Sequence, residues 1–374
     1  MIVKSIAFEN FRNLKNTKIF PSEGINVIYG DNAQGKTNLI EALWLMTGGR
    51  SFRGSKDGEL IAFGKKYANV CIEFFSEERD QELKILINTG KRTAVLNDVE
   101  KNYMSQIVGC FCAVVFSPDH LTLIKGGPDE RRNFIDAAIC QIKPAYASHL
   151  SRYKRIMNER NSLLKDIPRH RELEDTLEIW NDRLVYEGAA IALERFDYVS
   201  LLSDSSSEFY EGISSGKEKL SVEYRTSYGG NENMDFNELR NRMWEILREK
   251  QKDDVYFGYT TSGIHRDDLI VKINGMEARS FGSQGQQRSS VLAMKLAEAE
   301  ILGNKKGEKP VILLDDVLSE LDRSRQEYLL KKLGGMQVFI TCCESDTDAE
   351  NRILIKDGEL FVHGGDQGVS SSRQ

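Results

Sequence analysis

No long hydrophobic run is present in this 374-residue sequence. The longest apolar stretch, Val108–Phe116, is less than half the ~20 residues that a membrane-spanning helix needs. The opening, Met1-Ile-Val-Lys-Ser, has no secretion-signal layout, so a cytoplasmic chain with no membrane partner is expected. Cysteine is sparse: Cys71, Cys110, Cys112, Cys140, Cys342 and Cys343, with no C-x-x-C pair. That argues against a disulfide framework and for reduced thiols, mostly in the core. A basic excess is missing too. The net charge is −6, so any contact with nucleic acid must come from a local patch. Repeats are absent, and the only biased segment is the serine-rich end, expected to fray. What remains is ordinary for a globular chain, 40% hydrophobic and 29% charged, and long enough for two or three domains.

Residues 1 to 116 read mostly as strands: Ile2–Phe8, Thr17–Phe20, Gly24–Tyr29, Asn69–Phe75, Glu82–Ile87 and Cys112–Phe116. Several alternate apolar and polar residues, as a half-buried antiparallel sheet does. One helix, Lys36–Met46, interrupts them. Residues 129 to 213 read as helices; Leu173, Leu177, Trp180 and Leu184 repeat at three-four spacing, which weakens at Glu187. A short helical arm is expected, with no long coiled coil. Ser203–Ser207 and Ile213–Lys217 read as turns. Strands are expected again over 255 to 281, a helix from Ser283 to about Leu302, and an α/β unit over 310 to 374.

The segment Gly30-Asp31-Asn32-Ala33-Gln34-Gly35-Lys36-Thr37 matches G-x-x-x-x-G-K-[ST] in full. An apolar strand precedes it and a helix follows, which is the context that makes the pattern specific. Its glycines let backbone N–H groups wrap phosphates at a helix N-terminus. Lys36 is expected to reach the β- and γ-phosphates of ATP, and Thr37 to place its hydroxyl on Mg2+. Val311-Ile-Leu-Leu-Asp315-Asp316 is a buried strand tipped with acids at the end where α/β sheets bind ligands. Asp315 is the expected Mg2+ ligand and Asp316 the general base. Alone, such a strand is a weak signal; coupled to the phosphate loop it is strong.

Ser283-Gln-Gly285-Gln286-Gln-Arg288 opens an amphipathic helix, and Ser283 with Gln286 fits a capping box. Gly285 permits close approach of a ligand. By itself this is a well-capped helix, but Ser319-Glu-Leu-Asp322 follows the acidic strand. The order of phosphate loop, signature, acidic strand and second loop resembles the ABC ATPases, and the S-Q-G-Q-Q wording resembles the RecF family. Phe8-Glu-Asn10-Phe11-Arg12-Asn13, Ser51-Phe52-Arg53, Phe116-Ser-Pro-Asp119, Gly126-Gly-Pro128-Asp-Glu-Arg131-Arg132 and Gly263-Ile-His265-Arg266-Asp267-Asp268 resemble further segments of that family.

The resemblance implies an α/β, ABC-type P-loop ATPase head with an inserted, mainly helical lobe and short arm. Its expected boundaries are 1–118 and 305–374 for the head and 119–304 for the lobe with the signature helix. It implies ATP-dependent DNA binding in recombinational repair, on duplex or on a single/double-strand junction. The expected roles are support of RecA loading, replication restart and SOS induction, with RecR and RecO as partners. Arg12 and Gln286 join the nucleotide-binding candidates, and Ser283 is expected to cap the γ-phosphate held by Lys36 of a second copy in an ATP-dependent homodimer. Three departures point to slow hydrolysis: Asp316 replaces the usual glutamate, Thr341 the usual switch histidine, and no glutamine is obvious near Ser117–Asp119. The five histidines, His265 included, read as structural. A second reading is an ATPase subunit of another assembly such as a transporter; a third is an ATP-gated structural dimer with negligible hydrolysis.

For DNA, residues 131 to 171 carry ten Lys and Arg against three acids. Such basic groups supply most non-specific affinity for phosphate backbones. Arg152, Lys154, Arg155 and Arg160 are the candidate contacts. On charge alone a solvated helix face is as good a reading; the resemblance favours DNA.

Overall fold

The computed structural model describes residues 1–342 and 351–363. Cys343 and the serine-rich end therefore lie outside the described residues. In chain order, β1 (Ile2–Glu9), β2 (Thr17–Ile19) and β3 (Ile25–Tyr29) lead to α1 (Lys36–Leu45). Next come β4 (Tyr67–Ser76), β5 (Arg79–Asn88), β6 (Lys91–Leu96), β7 (Val99–Lys101) and β8 (Ala113–Phe116). The helices α2 (Thr122–Lys125), α3 (Pro128–Ile142), α4 (Pro144–Asp166) and α5 (Leu177–Ser214) follow. Then come β9 (Leu220–Arg225), α6 (Phe236–Glu249), α7 (Gln251–Phe257), β10 (Asp268–Ile273), β11 (Met276–Glu277) and α8 (Ala278–Phe281). The described chain finishes with α9 (Gln284–Lys306), β12 (Val311–Leu314), α10 (Arg323–Lys332), β13 (Val338–Cys342), β14 (Asn351–Lys356) and β15 (Glu359–His363).

Contacts divide the chain into two compact units. The first joins Met1–His120 to the residues from Leu302 onward and contains two six-stranded sheets. One is antiparallel, in the order β2-β1-β4-β5-β6-β7. Burial alternates along β4 and β5 because only one face meets the core. The other has the order β15-β14-β3-β13-β12-β8 and is parallel except for the β14–β15 hairpin. Its strands β8 and β12 are buried throughout, as apolar runs in parallel sheets are. Leu39 to Leu45 of α1 are buried without a break. They share one core with Ile6, Val70 and Ile85 of the first sheet and Ile28, Leu313 and Phe339 of the second. A helix packed on every side needs no polar face, which is why α1 lacks an amphipathic stripe.

The second unit, Leu121–Ile301, surrounds the small antiparallel sheet β11-β10-β9 with helices. Its interior is unusually ionic. Arg131 is bidentate on Asp268 at 2.6 and 2.9 Å, and Arg195 is bidentate on Asp136 at 3.0 Å. Arg195 also donates to Tyr224 and to the Ile264 carbonyl. Burial and the Asp136 carboxylate push the Tyr146 hydroxyl pKa well up, so it stays a neutral donor to Asp136.

Several sequence expectations are corrected here. Ser203–Ser207 is no turn: α5 runs through it, because Leu202, Ser206, Phe209 and Tyr210 continue the buried face. The serines are satisfied in the helix, Ser206 donating to the Ser203 carbonyl and Ser203 Oγ accepting from the Val222 N–H. Residues 255–257 are helical, closing α7, and strand structure begins only at Asp268. The hairpin β6–β7, the strand β9 and the helix α6 lie outside the sequence expectations. For α6 a signal existed: Asp235 and Glu238 form a capping box ahead of buried Leu239, Met243, Ile246 and Leu247. Among the described residues Cys71, Cys110, Cys112, Cys140 and Cys342 are in no disulfide, and burial raises the pKa of Cys112 and Cys140 to about 12.

Candidate nucleotide site

The phosphate loop connects β3 to α1. Gly30 and Gly35 adopt φ of 142° and 118°, values that an L side chain resists, and Ala33 is left-handed at 66°. Asn13 braces this loop: its Nδ2 donates to the carbonyls of Ala33 at 3.3 Å and Gln34 at 3.1 Å. Asn38, in the first turn of α1, donates back to Asn13 Oδ1 at 2.6 Å. From the far end of the chain the Asp357 N–H donates to Gln34 Oε1. Lys36 Nζ donates to the Gly30 and Asp31 carbonyls, so its ammonium lies over the loop's own backbone.

The acidic strand meets this loop. Thr37 Oγ1 donates to Asp315 Oδ1 at 2.9 Å, across 278 positions. Thr341 at the end of β13 donates to the same oxygen at 3.0 Å and accepts from the Asp316 N–H at 2.8 Å. The residue noted for replacing a switch histidine is thus the bracket that holds both acids. Burial raises the Asp315 pKa, opposed by the Thr37 and Thr341 hydrogen bonds. Asp316 is left-handed at φ 53°, and Ser319 Oγ donates to its carbonyl at 2.8 Å and its carboxylate at 3.1 Å. Among the described residues no cluster of three His, Cys, Asp or Glu could hold a metal by itself. Thr37 and Asp315 instead form a two-oxygen donor set, the kind Mg2+ uses when phosphate oxygens and water complete its shell.

Arg12 has a different station. Its guanidinium is bidentate on Glu41 of α1 at 2.9 and 3.0 Å and also donates to Ser55 and the Glu59 carbonyl. The motif's direct contact with the phosphate loop comes from the neighbouring Asn13, which sequence reasoning quoted without assigning a role. At the signature, Ser283 and Gln286 form the expected capping box. Gln286 Nε2 also donates to Glu218 at 2.6 Å, and the space beside Gly285 is open. His265 is held from both sides of its ring: Nε2 donates to the Thr260 carbonyl at 3.0 Å and Nδ1 accepts from Tyr153 at 2.8 Å. Burial lowers its pKa to about 4, so the ring is neutral.

The DNA candidates separate. Lys154 and Arg155 are exposed. Arg152 is half-exposed and paired with Glu187 at 2.7 Å. Arg160 is a correction: it is fully buried, ion-paired with Asp254 at 2.8 Å and hydrogen-bonded to Asn181 and Thr260, so it cannot touch a phosphate. Arg131 and Arg132 are likewise engaged within the unit, on Asp268 and Asp129.

The RecF/RecN/SMC N terminal domain family matches residues 2–356. A DNA replication and repair protein RecF of Ruminiclostridium cellulolyticum is 40% identical over 349 residues, 92% of this chain and 94% of its own. That of Caldanaerobacter subterraneus subsp. tengcongensis is 41% identical over 364 residues, 96% and 99% of the two chains. The chain belongs to the RecF family. A solved structure of the recombination mediator protein RecF-ATP in the RecFOR pathway is 40% identical, with TM-score 0.92 over 97% of this chain and 98% of that one. An Smc head domain from Pyrococcus furiosus, bound to the C-terminal domain of ScpA, is 18% identical with TM-score 0.55 over 97% and 96%, a likeness of fold alone. The fold is the ABC-type P-loop ATPase head of RecF proteins, with its mainly helical lobe inserted in sequence between the two halves of the head. Among the described residues no helix is long and apolar enough to cross a membrane.

One glycine ties the β14–β15 hairpin to the site. Gly358 has φ 76°, and a Cβ there would stand 2.0 Å from the Asn13 carbonyl oxygen. Gly358→Ala should cost about 1–3 kcal/mol of stability and displace the neighbouring Asp357–Gln34 contact. Calorimetric titration should show weakened ATP binding alongside a lowered melting temperature. Unchanged values for both would mean that the hairpin does not brace the loop.

Proposed function

We propose that this chain is an ATP-binding DNA repair protein of RecF type, in which ATP drives two copies together on DNA and slow hydrolysis releases them. The observation that carries the nucleotide reading is the Thr37–Asp315 hydrogen bond, which brings the two chain ends into one site. Lys36 faces the β- and γ-phosphates, the N–H groups of Gly30–Thr37 cradle them, and Thr37 with Asp315 holds Mg2+. The ion, when bound, offsets phosphate charge. Asp316 holds the attacking water as general base; its carboxylate is one methylene shorter than glutamate, which suits slow turnover. Ser283, Gly285 and Gln286 of a second copy close the site over the γ-phosphate. Because Gln286 already bonds Glu218 and the Ser283 N–H, Ser283 and Gly285 are the better placed of the three to meet nucleotide.

The DNA contacts proposed are Lys154 and Arg155, with Arg152 in part, on duplex or a single/double-strand junction. RecR and RecO are the proposed partners, RecA loading, replication restart and SOS induction the proposed context, and the cytoplasm the proposed location. Family membership disfavours the transporter reading. Ser283→Arg should leave ATP binding near wild type and abolish ATP-driven dimers, since a long cation replaces a hydroxyl at a two-fold contact. Analytical ultracentrifugation with ATP, ADP and no nucleotide, each with and without duplex DNA, reads this directly. A variant that dimerises normally, or a wild type that stays monomeric with ATP and DNA, overturns the assembly.

A further inference from the structure

Three neighbouring aromatic side chains of the second unit stand in water together. Tyr256 is 84% exposed, Phe257 54% and Tyr259 41%. They form one group: the Tyr256 and Phe257 ring centroids are 5.1 Å apart, and those of Phe257 and Tyr259 5.8 Å. Within residues 250–266 they are the only exposed apolar side chains. Leaving three rings in water is unfavourable, at roughly 25 cal/mol per Å² of apolar surface that could have been buried. A flexible loop could fold them away; this segment is not free to do so. Asp254, just before them, is buried against Arg160 and accepts from the Thr261 N–H at 2.9 Å and Thr261 Oγ1 at 2.7 Å. Thr260 donates to Asn161 of α4 through its N–H at 2.8 Å and its hydroxyl at 2.7 Å. The rings are therefore presented by a rigid, buried polar anchor.

Cations frame them. The Arg266 guanidinium lies 5.2 Å from the Tyr259 ring centroid. Lys165 runs beside Gly258, its Cγ 3.3 Å from where a Cβ would be. From Lys165 the surface continues along α4 through Ser162, Asn158, Arg155 and Lys154, all exposed. At 100° per residue these five positions span about 100° of the helix circumference, and the exposed carboxylates Asp166 and Glu159 fall about 20° and 40° beyond its Arg155 edge. In a chain of net charge −6 this is a local cationic strip that ends on an aromatic group.

The geometry points to a stacking site for unpaired bases: Tyr256, Phe257 and Tyr259 take the bases of single-stranded DNA, while Lys165, Arg266 and the α4 strip take its phosphates. The inference rests on the DNA-binding reading above and specifies which form of DNA meets this surface. Rings with cations beside them are how strand-binding proteins hold single strands without reading sequence. Duplex bases are already stacked on one another, so the rings can only engage a strand that is open, as at a gap or a junction.

Cross-linking of the wild-type protein to an oligothymidylate carrying 5-bromodeoxyuridine tests it, because the modified base couples to aromatic side chains that it touches. Adducts on Tyr256, Phe257 or Tyr259 are expected; adducts confined to other segments overturn the proposal. The variant Tyr256→Ala/Phe257→Ala/Tyr259→Ala should lose single-strand affinity roughly five- to a hundred-fold by fluorescence anisotropy. Its ATP binding, melting temperature and affinity for blunt duplex should hold. The matching triple Leu variant keeps apolar surface without rings and should bind single strands as weakly as the Ala variant; recovery there would mean apolar contact in place of stacking. A folded Ala variant with wild-type single-strand affinity assigns the rings to a protein partner instead. Wild-type protein that binds duplex but no single strand overturns this site alone, whereas failure to bind any DNA overturns the broader reading with it.

Discussion

Lys36→Ala should lower ATP affinity by roughly 10- to 100-fold, the loss expected when hydrogen bonds from a charged donor to phosphate are removed. The ammonium already lies over the Gly30 and Asp31 carbonyls. It is therefore confined beside the loop before nucleotide arrives, and little further side-chain freedom is lost on binding. The fold should survive, because the side chain is partly exposed and its neighbours Leu39 and Ile40 carry the core contacts. Isothermal titration with a circular-dichroism control checks both statements. Wild-type affinity in a folded variant would remove the loop as the site. With affinity lost, ATP-driven dimers and any ATP-dependent grip on DNA should vanish together.

Arg160→Ala should destabilise the Leu121–Ile301 unit by about 3–5 kcal/mol, because Asp254 is left as a buried charge without its partner. For a unit of this size that corresponds to a fall of roughly 6–20 °C in its melting transition. The double variant Arg160→Met/Asp254→Asn removes both charges and keeps an acceptor for Thr261. It should recover much of the loss, since a buried pair is often no more stable than its neutral replacement. Differential scanning calorimetry distinguishes the outcomes. An arginine on DNA would behave the other way, lowering affinity for the nucleic acid and leaving the melting curve in place. A melting curve for Arg160→Ala equal to wild type would restore it as a surface residue.

Arg160 also shows where sequence reasoning reaches its limit. A charge count over 131 to 171 weighs it like Lys154 and Arg155. Helical spacing does not: Tyr153, Ile156, Arg160 and Leu164 lie on one buried face. Its partner Asp254 is remote in sequence, and no local pattern announces the pair. The candidate nucleotide site is readable for the opposite reason. Gly30–Thr37 and Asp315–Asp316 are short runs whose residue types are dictated by the local backbone, and that backbone recurs wherever the chemistry does; for Ser283–Gln286 the readable feature is the capping box. The bracing groups were not legible as such. Asn13, Thr341 and Asp357 act through one to three contacts each, across 20 or more positions, and any polar residue could stand at such places in an unrelated fold. Turn chemistry was mixed. Asn97-Asp98, both left-handed, is a readable hairpin signal between β6 and β7. Glu77 and Glu78 are left-handed too, φ 52° and 58°, between β4 and β5, where nothing in two glutamates suggests it.

The strand order of the parallel sheet has a consequence for synthesis. β3 carries the phosphate loop, and its two neighbours are β13 and β14. Both leave the ribosome after the whole inserted lobe. At about 5–20 residues per second, the roughly 300 residues between β3 and β13 take on the order of 15–60 s to make. Through that interval both edges of β3 are bare, and a bare apolar strand edge is a template for wrong pairing. The inserted lobe can fold meanwhile on its own contacts; the nucleotide site cannot. Chains broken off between α1 and β13 therefore contain the full phosphate-loop sequence without the sheet that shapes it. Only chains extended through β14 can give β3 both of its neighbours.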